Sequence, residues 1–312
     1  MRVWFWRVEV HMTTATTADL KRWYVIAAPF LWLLVFFLIP FFVVFKLSLS
    51  DVATAIPPYT PTFSWSTGIV DFVKQLDFEN YSFIFSDSLY VNSYLSSLKI
   101  AFFSTILTLL VAYPMAYGMA RAPKSWQPTL MMLVILPFWT SFLIRIYAWI
   151  AILKPEGFLS IFLIKLGIIS EPLQIMNTTT AVYIGIVYSY LPFMLLPLYA
   201  SLEKINPSLL EAAQDLGSQP WRSFWQVTFP LSLPGVFAGC LLVFIPAVGE
   251  FVIPDLLGGS DTLMIGKTLW TEFFNNRDWP LASAVAVLLL LVLIIPIVLF
   301  QREQEKVREA GR

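Results

Sequence analysis

The sequence predicts an all-α, polytopic membrane protein with six transmembrane helices. Three observations carry that reading. Of 312 residues, 58% are apolar and only 13% charged, a balance that no single soluble core absorbs. The apolar residues gather into six long stretches, and Lys and Arg are shared unevenly among the segments joining them.

A spanning helix needs roughly 20 mostly apolar residues, because the hydrocarbon core is about 30 Å thick and each helical residue advances about 1.5 Å. The six stretches run approximately from Tyr24 to Leu47, Leu98 to Ala120, Thr129 to Leu153, Thr180 to Ala200, Gly235 to Leu256 and Leu281 to Phe300. They define a transmembrane domain over 24–300, between an N-terminal segment, 1–23, and a tail, 301–312. A further apolar run, Phe158 to Ile169, is too short to span and contains Lys165, so it reads as an interfacial or re-entrant helix.

The first span follows Lys21 and Arg22 and ends near Ser48-Leu49-Ser50, a small-x-small pattern like a signal-peptide cleavage site. Signal cores run only about 7–15 residues, so the longer stretch here reads as a retained anchor. Met12 is a candidate start, because the Trp-rich residues before it fit neither an anchor nor an ordered domain.

Lys and Arg concentrate in cytoplasmic loops. Placing the N-terminus inside puts twelve of them on the inner segments and seven on the outer ones, with Arg145 inside the third span. Both termini are then cytoplasmic. The outer segments carry eleven acidic residues. That sign favours arriving cations, although depletion of Lys and Arg outside is common whatever a membrane protein does.

Composition excludes several classes of function. Twenty basic residues balance twenty acidic ones, so the chain lacks the charge of a nucleic-acid binder. With one cysteine, Cys240, and one histidine, His11, it has no internal disulfide, no zinc cage and no Ser-His-Asp triad. A membrane enzyme would need convergent catalytic groups that the sequence does not offer, and no metal site is expected.

Two connecting segments stand out. The outer one, Ser48 to Ser97, carries Pro57-Pro58 and the aromatics Tyr59, Phe63 and Trp65, and predicts a packed extracytoplasmic cap. The inner one, about 201–234, reads Leu209-Leu210-Glu211-Ala212-Ala213-Gln214-Asp215-Leu216-Gly217, followed nine residues later by Val227-Thr228-Phe229-Pro230. Ser208 and Glu211 have the Ser-x-x-Glu spacing of a capping box, and Gly217 is placed to end the helix with a positive φ. Ala212 and Ala213 keep one face small enough for close approach by another protein. Such a short, rigid helix on the cytoplasmic surface suits a membrane domain that receives a push from a soluble motor; the bland alternative is an ordinary amphipathic loop helix.

The loop resembles the coupling signature of binding-protein-dependent ABC permeases: Glu-Ala-Ala, three residues, Gly, nine residues and Ile-x-Leu-Pro. Val227 stands where Ile is usual and Phe229 where Leu is usual. Further stretches are similar to the permeases of polyamine ABC importers, nearest to those of putrescine systems. They include Ile56-Pro57-Pro58-Tyr59, Leu136-Pro137, Thr140-Ser141-Phe142-Leu143-Ile144-Arg145-Ile146-Tyr147-Ala148-Trp149, Gly249-Glu250-Phe251-Val252-Ile253-Pro254 and Asn276-Arg277-Asp278-Trp279-Pro280. The resemblance covers nearly everything outside the first twenty residues. It implies the type I ABC importer permease fold and a heterodimer with a second, homologous permease. It also implies two ATPase subunits carrying ATP and magnesium, and a soluble binding protein that delivers putrescine or spermidine. Glu211, Ala212, Ala213, Asp215, Leu216, Gly217 and Pro230 are then the residues that couple to the ATPase.

Gly266-Lys267-Thr268 imitates the end of a phosphate-binding loop. The first glycine of that motif falls on Asp261, so no nucleotide site is expected in this chain.

A charge within a span is costly and usually faces a protein interior, a partner or a water-filled path. Arg145 and Glu250 lie at similar depths if their spans are unbroken helices, which leaves two readings open. In one they form a structural ion pair; in the other Glu250 faces the translocation cavity and attracts a cationic substrate. Pro246, Gly249 and Pro254 interrupt the helix around Glu250, and broken helices tend to line cavities. Asp255 and the rings of Trp139, Tyr147, Tyr188 and Tyr190 complete the candidate path, through cation–π contact for the rings. Trp and Tyr also gather at membrane interfaces, the simpler reading of Trp270 and Trp279. Two alternatives stand beside a polyamine importer: an ABC permease for another small cation, and an ATP-independent secondary transporter that leaves the Glu211 loop without a purpose.

Overall fold

The computed structural model describes residues 26–62, 74–260 and 262–310. The N-terminal segment with its candidate start Met12, the aromatics Phe63 and Trp65, and Asp71 and Asp261 lie outside them.

Among the described residues six helical stretches are long and apolar enough to cross a membrane, the third of them, Phe142–Lys165, being two short helices in succession. Helix α1 spans Ile26–Ser48 and contains a π-helical turn, Leu34–Leu38. A two-stranded antiparallel hairpin follows, β1 Asp51–Val52 with β2 Tyr59–Thr60, and then α2, Glu79–Ser86. Helix α3, Ser88–Arg121, is the longest among the described residues. Its 34 residues measure about 50 Å at the standard rise, more than the bilayer core, so the expected span from Leu98 is only its inner part.

The third expected span, Thr129 to Leu153, is not continuous. Helix α4, Gln127–Ile135, tightens into a 3-10 turn, Leu136–Trp139, and breaks at Thr140 and Ser141 before α5, Phe142–Leu153. Pro137 removes a donor inside the turn. Helix α6, Phe158–Lys165, packs back on α5. Helix α7, Thr179–Glu203, starts on a cap in which the Thr178 hydroxyl accepts from the Ala181 N–H. The short helix α8, Pro207–Asp215, leads to α9, Pro220–Val248, whose first turns include a π-helical stretch, Phe224–Thr228. The fifth expected span also breaks: α9 stops at Val248, and α10, Val252–Leu257, restarts after Phe251. Helix α11, Ile265–Trp270, continues as a π turn, Thr271–Asn275, and α12, Trp279–Ala310, closes the fold.

Helices α3, α7 and α9 pack against one another and form the core, while α1 lies on α12 at the periphery. Without a hydrophobic force between helices in lipid, close approach depends on small residues. Accordingly α3 buries Ser93, Ser97, Ala101, Ser104, Thr108, Ala112 and Ala116 on one face, and α9 buries Ser232, Gly235, Gly239 and Ala247.

The segment after α1 is tied together by hydrogen bonds in its described part. Asn80 Nδ2 donates to the carbonyls of Ser48 and Ser50, and the Ser48 and Tyr81 hydroxyls lie 2.7 Å apart. The Tyr90 hydroxyl donates to Glu272, tying α3 to the π turn after α11.

Candidate functional site: a capped inner helix and a helix break at Glu250

Helix α8 buries none of its residues, and Glu211, Ala212, Gln214, Asp215 and Leu216 are exposed. Leu216, just past its end, is 90% exposed, an apolar side chain held out from the surface. Its cap differs from the expected capping box. Asn206, not Ser208, accepts the N–H of Ser208 at 3.1 Å, because Pro207 occupies the first helical position, where its missing N–H costs nothing. At the other end Gly217 takes φ +80°, its N–H reaches the Gln214 carbonyl at 2.8 Å, and the Ser218 N–H reaches Ala213 at 2.9 Å. This paired closure satisfies two of the last orphan carbonyls. Pro230 is exposed in α9, just after the π-helical stretch.

At the far end of α9, Glu250 occupies the break between α9 and α10. One oxygen, Oε1, accepts from the backbone N–H groups of Phe251, Val252 and Ile253 at 3.2, 3.0 and 3.4 Å. The other, Oε2, accepts from the Tyr190 hydroxyl at 2.5 Å. The carboxylate thus serves the positive end of α10 and pins it to α7. Gly266 holds the break from the other side: a Cβ there would stand 2.3 Å from the Gly249 carbonyl oxygen and 2.7 Å from that of Glu250.

The ion pair between Arg145 and Glu250, one of the two readings left open by the sequence, is not made in this structure. The break displaces Glu250 from the continuous helix on which its depth was reckoned, and protein donors already occupy both of its oxygens. The Arg145 guanidinium lies over the rings of Phe138 at 4.6 Å and Phe142 at 5.7 Å. Phe138 meets Phe193, and Phe193 meets Tyr190, at centroid distances of 5.4 and 6.0 Å. Three aromatic rings therefore connect the two charges.

Of the four aromatic candidates, only Tyr190 is brought to Glu250. Tyr188 packs edge-on to Trp149 at 5.4 Å, and Trp139 and Tyr147 stand exposed near the break in the third span. Asp255 pairs with Lys267 at 3.3 Å. Trp270, expected as an interface anchor, stacks between Phe251 and Phe274, and Trp279 stacks on Phe273.

Sequence reasoning passed over Asn206, Phe138, Phe193 and Gly266. The Asn206-Pro207 step was a readable cap signal. Gly266 was weighed only as part of a phosphate-loop imitation, and the ring contacts join segments far apart in sequence.

Residues 108–306 match the family of binding-protein-dependent transport system inner membrane components. The chain belongs to this family. It is 40% identical over 277 residues to the spermidine/putrescine transport system permease protein PotB of Haemophilus influenzae, covering 89% of this chain and 92% of that one. It is 43% identical over 232 residues to the protein of the same name from Escherichia coli, covering 74% of this chain and 84% of the other. In structure it resembles a chain of a bacterial alginate ABC transporter, with a TM-score of 0.69 at 15% identity over 93% of this chain and 97% of that one, a likeness of fold. This permease is thus a multi-pass inner-membrane transport subunit of the ABC class, not an enzyme.

Proposed function

We propose that this permease forms half of the translocation path of an ATP-driven polyamine importer, carrying putrescine and, as a second cargo, spermidine. The single observation that carries the reading is the 40% identity over 89% of the chain to a permease named for spermidine and putrescine transport. Preference for putrescine is supported by the likeness of the stretch around Gly249-Glu250-Phe251 to permeases of putrescine systems.

The physical case for a cation rests on Glu250. Its described partners are neutral donors, so its negative charge meets no cationic side chain. An ammonium group approaching the break is attracted there, with Tyr188 offering a ring face along the way and Asp255 an acidic group. Helix α8 and both termini lie on the cytoplasmic side in this reading. Glu211, Ala212, Ala213, Asp215, Leu216, Gly217 and Pro230 then meet an ATPase subunit that holds ATP and magnesium. Two such subunits, a second permease and a soluble binding protein complete the importer, and nucleotide-driven closure moves the path between outward and inward access.

The test is uptake of labelled putrescine and spermidine by vesicles containing the four reconstituted components, with basic amino acids as competitors. ATP-dependent accumulation of polyamine is expected. Accumulation without nucleotide, or transport of basic amino acids in preference, overturns the reading.

A further inference from the structure

Among the described residues the Arg145 guanidinium finds no carboxylate acceptor. Its Nε and Nη1 are sealed from solvent without a hydrogen-bond partner, packed over the rings of Phe138 and Phe142. Hydrocarbon supplies no acceptor, and a cation in a span is normally paired or faces water or protein. Around it the chain is unexpectedly bare: Trp139 is 75%, Ile144 65% and Tyr147 58% exposed. An arginine ringed by Trp, Tyr and aliphatic side chains, with no carboxylate paired to it among the described residues, has the composition of an interface centre, where a desolvated charge meets its counter-charge.

We propose that Arg145, at the bare break between α4 and α5, anchors the face that this permease turns to its second permease subunit and pairs there with a membrane-embedded carboxylate of that subunit. The proposal rests on the two-permease reading given above.

The alternative acceptor, a phospholipid phosphate, is disfavoured by the surroundings: Nε and Nη1 are sealed from solvent over the rings of Phe138 and Phe142, and the side chain leans back along α5 toward the break at Thr140 and Ser141, within an apolar stretch that continues to Lys165. Glu250, the acid weighed above as its partner, is held by four protein donors.

The test uses the full importer complex. A photoreactive p-benzoylphenylalanine at position 144, with Arg145 intact, is expected to crosslink to the second permease, at a peptide beside an Asp or Glu within a span. Arg145→Met, and neutralisation of that acid, should each lower the amount of second permease recovered with this chain by tenfold or more. Exchanging the two charges, with Arg145→Glu and the acid replaced by arginine, should restore it. An adduct with phospholipid alone, an adduct with a second copy of this chain, or undiminished recovery of the partner with Arg145→Met overturns the proposal. Because these readouts report assembly, a complex that crosslinks as expected but takes up no polyamine sinks the substrate reading and leaves the pairing standing.

Discussion

The Tyr190 hydroxyl donates to Glu250 Oε2 at 2.5 Å, joining the middle of α7 to the gap between α9 and α10. That bond fixes a carboxylate whose other oxygen caps α10. Structure and charge reside in the same side chain, and two substitutions separate them. Glu250→Gln keeps an acceptor oxygen for the α10 backbone and removes the charge, so uptake is expected to fall at least tenfold while the complex assembles at wild-type yield. Tyr190→Phe keeps the charge and loses a hydrogen bond to it, a bond of a class worth about 1.5–3 kcal/mol. Its melting temperature should drop while ATP-dependent uptake persists. Uptake and thermal unfolding of the purified complex check both.

Gly217 closes α8 in a conformation that costs an L-residue roughly 1–2 kcal/mol. Gly217→Glu adds that strain, plus bulk and charge, beside the exposed Leu216. Transport and substrate-stimulated ATP hydrolysis are expected to disappear together, whereas a transporter independent of ATP would keep its uptake. Parallel hydrolysis and uptake assays decide.

Capping assigns different weights to two neighbouring polar residues. Asn206→Ala removes the side chain that starts α8 and should cost about 0.5–2 kcal/mol of helix stability. Ser208→Ala removes a hydroxyl with no capping bond and should be silent. Hydrogen exchange over 207–215 is expected to quicken in the first variant only.

Asp278 caps α12 by accepting the Leu281 N–H at 2.9 Å. Burial raises its pKa, the Leu281 bond lowers it, and the nearby Glu272 raises it. The folded chain therefore holds this proton more tightly than the unfolded chain. The stabilisation that results is complete below the ordinary aspartate range and is lost as pH rises through the elevated native value. Asp278→Asn keeps an acceptor and should flatten that part of the stability profile, seen as a smaller change in melting temperature with pH.

Hydropathy located the spans because apolar length is what a bilayer selects, and the Glu211 to Gly217 spacing located the inner helix. The breaks were harder to read. Pro246, Gly249 and Pro254 announced the interruption around Glu250, but an apolar scale does not register the 3-10 turn at Pro137, and reckoning depth along unbroken helices kept an Arg145–Glu250 pair among the readings. The Ser208 and Glu211 spacing outweighed the better cap two residues earlier. Tyr190, by contrast, was among the candidate rings from the outset, although its bond to Glu250 comes from packing of α7 that no local pattern encodes.

Helix α3 runs without a gap from the cap contacts of Tyr90 to the inner core around Met119. A rod about 50 Å long that pivots near its centre by 10° carries each tip roughly 4 Å in opposite senses. In the importer proposed above, a displacement at one rim would therefore have an equal and opposite counterpart at the other membrane surface.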